Sequence, residues 1–150
     1  VVRDVLAHLA VPQAHRDPQG THAPIDVRML DNGRLLVALN GPSQVVEIDR
    51  TGQVVWSVMS KQSVSTARRL DNGNTLVAET GGPSGGRAVE YDASGRTVWE
   101  FSGLKYCYSA ERLPDGSTLL ADEKGVREVH PDGKERLLHS VKAYSRATRY

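Results

Sequence analysis

The chain has 150 residues, enough for one domain with a buried core. Charged residues at 25% and apolar residues at 39% exclude wholesale disorder. Nineteen basic against eighteen acidic residues leave almost no net charge, which argues against a nucleic-acid surface built on bulk electrostatics. No apolar run approaches the roughly 18 residues of a membrane-spanning helix, and no signal peptide is visible. The first residue is Val1 rather than methionine, so a processed protein or an excised piece is expected.

The N-terminal stretch admits two readings. Arg3 to Val11 aligns with Lys134-Glu-Arg-Leu-Leu-His-Ser-Val as a solitary outer strand, whereas Val2, Val5, Leu6 and Leu9 also fit a short helix. Pro12 to Thr21 is polar and proline-containing and reads as a loop or linker.

From residue 22 onward the chain repeats. The turn aspartates Asp31 (L-D-N-G), Asp71 (L-D-N-G) and Asp115 (L-P-D-G) are 40 and 44 residues apart. A second marker keeps step: E-I-D-R-T-G-Q-V-V-W ends at Trp56, E-Y-D-A-S-G-R-T-V-W at Trp99, and E-V-H-P-D-G-K-E-R-L at Leu137. Two markers in the same order through three copies define repeats at about 22–59, 63–102 and 107–141.

Each copy holds four short apolar runs separated by turn residues. In the second these are Ser65 to Leu70, Thr75 to Thr80, Arg87 to Tyr91 and Thr97 to Phe101. Asn72-Gly73 and Ser94-Gly95 are hairpin signals, and L-L-V-A, T-L-V-A and T-L-L-A read as strands covered on both faces. Four antiparallel strands per 40 to 45 residues is the pattern of a β-propeller blade, so the fold class is all-β with about three blades. Centring each first hairpin on its turn pairs Val27 with Ala38, Ala67 with Ala78 and Ala110 with Ala121, small residues suited to the narrow axis of a propeller. After the third repeat, Ser145 to Tyr150 (S-R-A-T-R-Y) aligns with the innermost strand S-T-A-R-R-L.

The stretches Asp49 to Trp56 and Asp92 to Trp99 resemble the repeats of quinoprotein-like (pyrroloquinoline-quinone-dehydrogenase-like) β-propellers. The R-L-D-N-G-N-T-L element also resembles the related arylsulfotransferase-type propellers of bacteria. The resemblance implies that Trp56 and Trp99, on outer strands, dock against the neighbouring blade, with Leu137 and Leu6 as aliphatic substitutes. It also implies a bacterial protein and is compatible with an extracytoplasmic location. The catalytic histidine of the sulfotransferases falls on Ile25, Ser65, Tyr108 and Ser145 here, so that chemistry is not carried over. A complete set of quinone-binding or calcium-binding residues is missing as well, and no cofactor is expected.

Candidate site residues are few. Arg69, Arg112 and Arg149 occupy equivalent inner-strand positions, and Glu79 and Asp122 end the second strands at the opposite edge. With Tyr108, at the start of an inner strand, they are candidates for a polar channel mouth that takes an anionic or sugar-like ligand. The competing reading is interblade ion pairs or a solvated rim. His8, His15, His22, His130 and His139 lack metal-ligand spacing, so no metal site is expected. Gly81 to Gly86 is a strand connection without the lysine of a phosphate loop, and Cys107 is a half-buried filler.

Three blades cannot close a ring, so a homodimer or the missing blades of a longer chain must complete it. These readings lead to a non-catalytic binding scaffold. The alternative is a fragment or relative of a propeller enzyme whose catalytic groups lie outside this chain.

Overall fold

A computed structural model describes residues 23–140, so the solitary strands expected at 3–11 and 145–150, with Leu6, Arg149 and Ser145, lie outside the described residues. Twelve strands follow one another: β1 (Pro24–Met29), β2 (Leu35–Leu39), β3 (Gln44–Ile48), β4 (Val54–Met59), β5 (Val64–Arg69), β6 (Thr75–Glu79), β7 (Gly86–Tyr91), β8 (Thr97–Leu104), β9 (Cys107–Arg112), β10 (Thr118–Asp122), β11 (Gly125–Val129) and β12 (Glu135–Ser140). They form three four-stranded antiparallel sheets in chain order, β1–β4, β5–β8 and β9–β12, each one blade. The expected all-β fold of four-stranded antiparallel blades is therefore present, and β8 runs on to Leu104.

The inner hairpins differ from expectation by one residue. Val27 faces Val37 rather than Ala38, Ala67 faces Val77 rather than Ala78, and Ala110 faces Leu120 rather than Ala121. The cause is the loop. Leu70 N donates to Asn74 O at 2.8 Å and Gly73 N to Leu70 O at 2.9 Å, closing a three-residue loop instead of a two-residue turn centred on Asn72-Gly73. Only Gly73 takes a positive φ (85°), the left-handed position that ends a type I turn with a bulge. Leu30–Arg34 and Leu113–Ser117 close in the same way.

Blades stack through two apolar seams. Leu36, Ala38 and Val45 of the first blade meet Val64, Ala67, Val77 and Val89 of the second, with Trp56 partly buried against them. Leu76, Ala78 and Ala88 of the second meet Cys107, Ala110, Leu120 and Val129 of the third, with Trp99 against them. Burial follows the stacking: β6 is buried at every residue, whereas Leu119 and Ala121 of β10 are only partly so. These two residues occupy the positions of Leu76 and Ala78, on the side of the third blade turned away from the second. The run T-L-L-A is thus covered on both faces only where a following blade lies against it.

Candidate functional site

The inner-strand arginines bridge successive blades. Arg69, the last residue of β5, places Nη2 2.6 Å from Oε2 of Glu47 on β3 of the preceding blade. Its guanidinium lies 4.8 Å from the centre of the Trp56 ring on β4. Arg112 repeats the arrangement one blade on, 2.7 Å from Glu90 and 4.6 Å from the ring of Trp99. Each lies where charge attraction and a cation–π contact converge on a half-desolvated guanidinium. Burial pulls the Arg69 pKa down, and Glu47 offsets part of that. Arg34 adds a 3.0 Å contact to Glu47, and Asn74 donates to Glu90 at 2.7 Å.

Trp56 completes the joint, its Nε1 donating to Ala93 O of the next blade at 2.9 Å. Both tryptophans occupy equivalent outer-strand positions and dock on the neighbouring blade, as the resemblance implies. They are partly rather than largely buried, since the outer strands β4 and β8 are exposed along most of their length.

Glu79 and Asp122 are each bound within their own blade. Glu79 is wholly buried, accepting from Arg87 Nε at 2.6 Å and from the Tyr91 hydroxyl at 2.8 Å within its own blade. Burial, then the Glu79 bond, pushes the Tyr91 hydroxyl far above its ordinary range, so it stays a neutral donor. Asp122 is held by Arg127 Nε and by the backbone N–H groups of Lys124 and Gly125. Both carboxylates sit at the far ends of the second strands from Arg69 and Arg112, away from the inner hairpins.

Tyr108 is exposed at the start of β9 and stacks on Tyr106, with ring centres 5.9 Å apart. Tyr106 in turn lies over the glycine-rich connection, where a Cβ at Gly81 would meet its ring at 3.4 Å. Gly86 is tighter still: a Cβ there would fall 2.4 Å from Cys107 N, so the connection is packed by the crossing between blades. Cys107 is fully buried rather than half-buried. Burial, reinforced by Asp122, pushes its thiol up to about 12.

The inner hairpins surround a cavity of about 820 Å³ lined by Arg28, Arg68, Arg69, Arg112, Glu90 and Glu111 among others. Arg69 and Arg112 are among its lining residues. Arg28, Arg68 and Glu111 were missed in the sequence, although one signal marks them: they occupy one repeat position, immediately before Met29, Arg69 and Arg112. Arg68 Nη1 reaches Asp26 Oδ2 of the preceding blade at 2.5 Å, and Ala67 N donates to the same oxygen at 3.2 Å. Among the described residues no group of three or more His, Cys, Asp or Glu side chains is arranged to hold a metal ion.

Solved structures place this architecture among propellers. A protein of unknown function from Bacteroides caccae superposes with a TM-score of 0.60 at 23% identity, covering 81% of this chain and 46% of that one. Virginiamycin B lyase from Staphylococcus aureus gives 0.63 at 14% identity, covering 80% and 43%. BamB from Moraxella catarrhalis gives 0.50 at 18% identity, covering 77% and 34%. The chain thus spans less than half the length of each, and these likenesses establish the fold. No curated protein matches the chain. The family described as outer membrane protein assembly factor BamB, a pyrroloquinoline-quinone-type repeat family, matches residues 13–150, and the chain belongs to that family.

Proposed function

We propose that the chain is a non-catalytic binding scaffold, extracytoplasmic like an outer membrane assembly factor, whose propeller ring is completed by a second copy. The observation that carries the assembly is a row of apolar side chains on one face of β1. Ala67 of β5 and Ala110 of β9 are 2% and 3% exposed, each pressed against the blade before it. At the equivalent position of β1, Val27 is 49% exposed, Met29 on the same face is 77% exposed, and Ile25 at the bulge before them is 44% exposed. Inner-strand residues are designed by the repeat to be covered, and contiguous exposed apolar surface marks an interaction site. On the third blade, Leu137 and Leu138 of the outermost strand β12 are exposed as well.

The scaffold reading is supported by how the conspicuous charges are used. Arg69, Arg112, Glu79 and Asp122 are bound in ion pairs within and between blades. The family description points the same way, towards assembly rather than chemistry.

Light scattering on the purified chain at micromolar concentration tests the proposal. A mass of two chains is expected, and a monodisperse, cooperatively unfolding monomer overturns closure by self-association. If the monomer gains a fold or an activity only when further blades are added, the reading as part of a propeller enzyme replaces it.

A further inference from the structure

We infer that the cavity between the inner hairpins binds a small zwitterion, its carboxylate held by Arg28 and Arg68 and its ammonium group by Glu111. This goes beyond the scaffold reading by naming a ligand class, and the side chains it uses all belong to one chain.

The charges that line the cavity are not equivalent. Arg69 and Arg112 are committed to Glu47 and Glu90, and each also rests on a tryptophan ring. Arg28 and Arg68 instead share the single carboxylate of Asp26. Arg68 holds it at 2.5 Å, while Arg28 approaches only through Nε at 3.5 Å, which leaves its terminal donors for a ligand. Two guanidiniums against one carboxylate leave one positive charge on the adjacent inner strands β1 and β5, while Asp71 on the β5–β6 hairpin adds a carboxylate to the same cavity. Both side chains are accessible, at 51% for Arg28 and 27% for Arg68.

At the same repeat position the third blade carries Glu111, which lines the same cavity and is exposed. Among the described residues Glu111 has no ion pair. One register position of three adjacent inner strands therefore reads plus, plus, minus. The fork of an arginine matches a carboxylate in two parallel hydrogen bonds, so the positive wall suits that group. A simple anion would satisfy this wall and leave Glu111 facing it across the same space. A molecule with a carboxylate at one end and an ammonium group at the other satisfies both. A volume of about 820 Å³ suits a free amino acid or short peptide and falls in the range of small-molecule sites.

Calorimetric titration of the intact chain with alanyl-alanine, its N-acetyl form and its C-terminal amide tests the inference. Saturable binding of the free dipeptide is expected, weakened at least tenfold by capping either end. Arg28→Gln should weaken it by a similar factor. Glu111→Gln should weaken the free dipeptide yet leave the N-acetyl form unchanged. Both substitutions are at exposed side chains, and unchanged thermal melts would confirm that the variants fold. No saturable binding at low ionic strength overturns the inference, as does a free dipeptide indifferent to Arg28→Gln. An N-acetyl form or inorganic phosphate that binds as tightly as the free dipeptide also overturns it, because Glu111 would then read nothing. Light scattering on the same samples reports self-association separately, so the two proposals fail independently.

Discussion

Arg69 on the second blade and Glu47 on the first meet at 2.6 Å, 22 positions apart, and Arg112 and Glu90 repeat that contact at 2.7 Å with the same separation. Each pair joins an inner strand to the third strand of the blade before it, beside a tryptophan from the fourth. Removing the arginine strands a carboxylate that is about nine-tenths buried. Arg112→Ala should therefore cost about 3 kcal/mol in urea unfolding, towards the lower end for a broken buried pair because Asn72 and Asn74 still reach Glu90. A double-mutant cycle with Glu90→Gln should give a coupling of about 1–2 kcal/mol. A coupling near zero would mean that the contact is a surface pair without structural weight.

The Trp56 indole contributes in two separable ways. Trp56→Phe keeps much of the apolar contact and loses the bond from Nε1 to Ala93 O, for an expected cost of about 1 kcal/mol. Trp56→Ala also strips a partly buried ring from the seam and from Arg69, and should cost about 3 kcal/mol. Equal losses for the two variants in denaturant melts would show that only the hydrogen bond matters.

Repeats and strand content were legible because two markers recur in the same order through three copies, and the docking tryptophans because they recur in two of them. Register was not legible from Asn72-Gly73 alone, since one glycine serves both a two-residue turn and a three-residue loop, and only the Leu70–Asn74 closure separates them. Glu79 looked like a channel residue because its partner Arg87 is eight positions away on the adjacent strand, a cross-strand pairing that depends on the β6–β7 connection. Arg28, Arg68 and Glu111 do not stand out in the sequence because their repeat position changes sign, whereas the position of Arg69 and Arg112 keeps one residue type in two copies. The electrostatic interest of the cavity lies in that change.

The outer hairpin turns predict an acid response. Asp49 Oδ1 accepts from Thr51 N, Thr51 Oγ1 and Gln53 N, and Asp92 Oδ1 from Ser94 N, Ser94 Oγ and Arg96 N. Hydrogen bonds from Thr51 and Ser94 lead in holding both carboxyls below their ordinary 3.8. A depressed carboxylate stabilises the fold above its unfolded value and loses that contribution as pH falls through its folded one. The turns should thus weaken below about pH 3.8, and Asp49→Asn with Asp92→Asn should flatten that part of the stability curve. Urea midpoints measured between pH 7 and pH 2 check this, and an unchanged slope in the double variant would count against it.

Cys107 predicts the opposite limb. Its thiol titrates near 9.0 when exposed and at about 12 in the fold, chiefly because of burial. The folded state therefore keeps a proton that the unfolded state releases, and stability declines as pH rises from about 9 towards 12. Cys107→Ala should remove that part of the alkaline slope, as the difference between variant and parent melts. An aromatic disulfide reagent at pH 8 should label Cys107 slowly in the native protein and rapidly in urea. Fast native labelling would show that the seam between the second and third blades opens readily.

Met29 offers the sharpest test of ring closure. It occupies the repeat position of Arg69 and Arg112, yet carries no charge and is 77% exposed. Where those arginines require a glutamate and an indole on the blade before them, a methionine requires an apolar neighbour, and Val27 and Ile25 extend the same demand along β1. An interface built on this row should be apolar at its centre and exceed the roughly 1,000 Å² of a specific contact. Met29→Glu puts a charge at the most exposed end of that row without disturbing any buried residue of the chain itself. The variant should keep its circular dichroism while its sedimenting mass falls to one chain, with self-association at least tenfold weaker. Should the variant instead stay dimeric at micromolar concentration, with its melt unchanged, β1 does not form the closing contact.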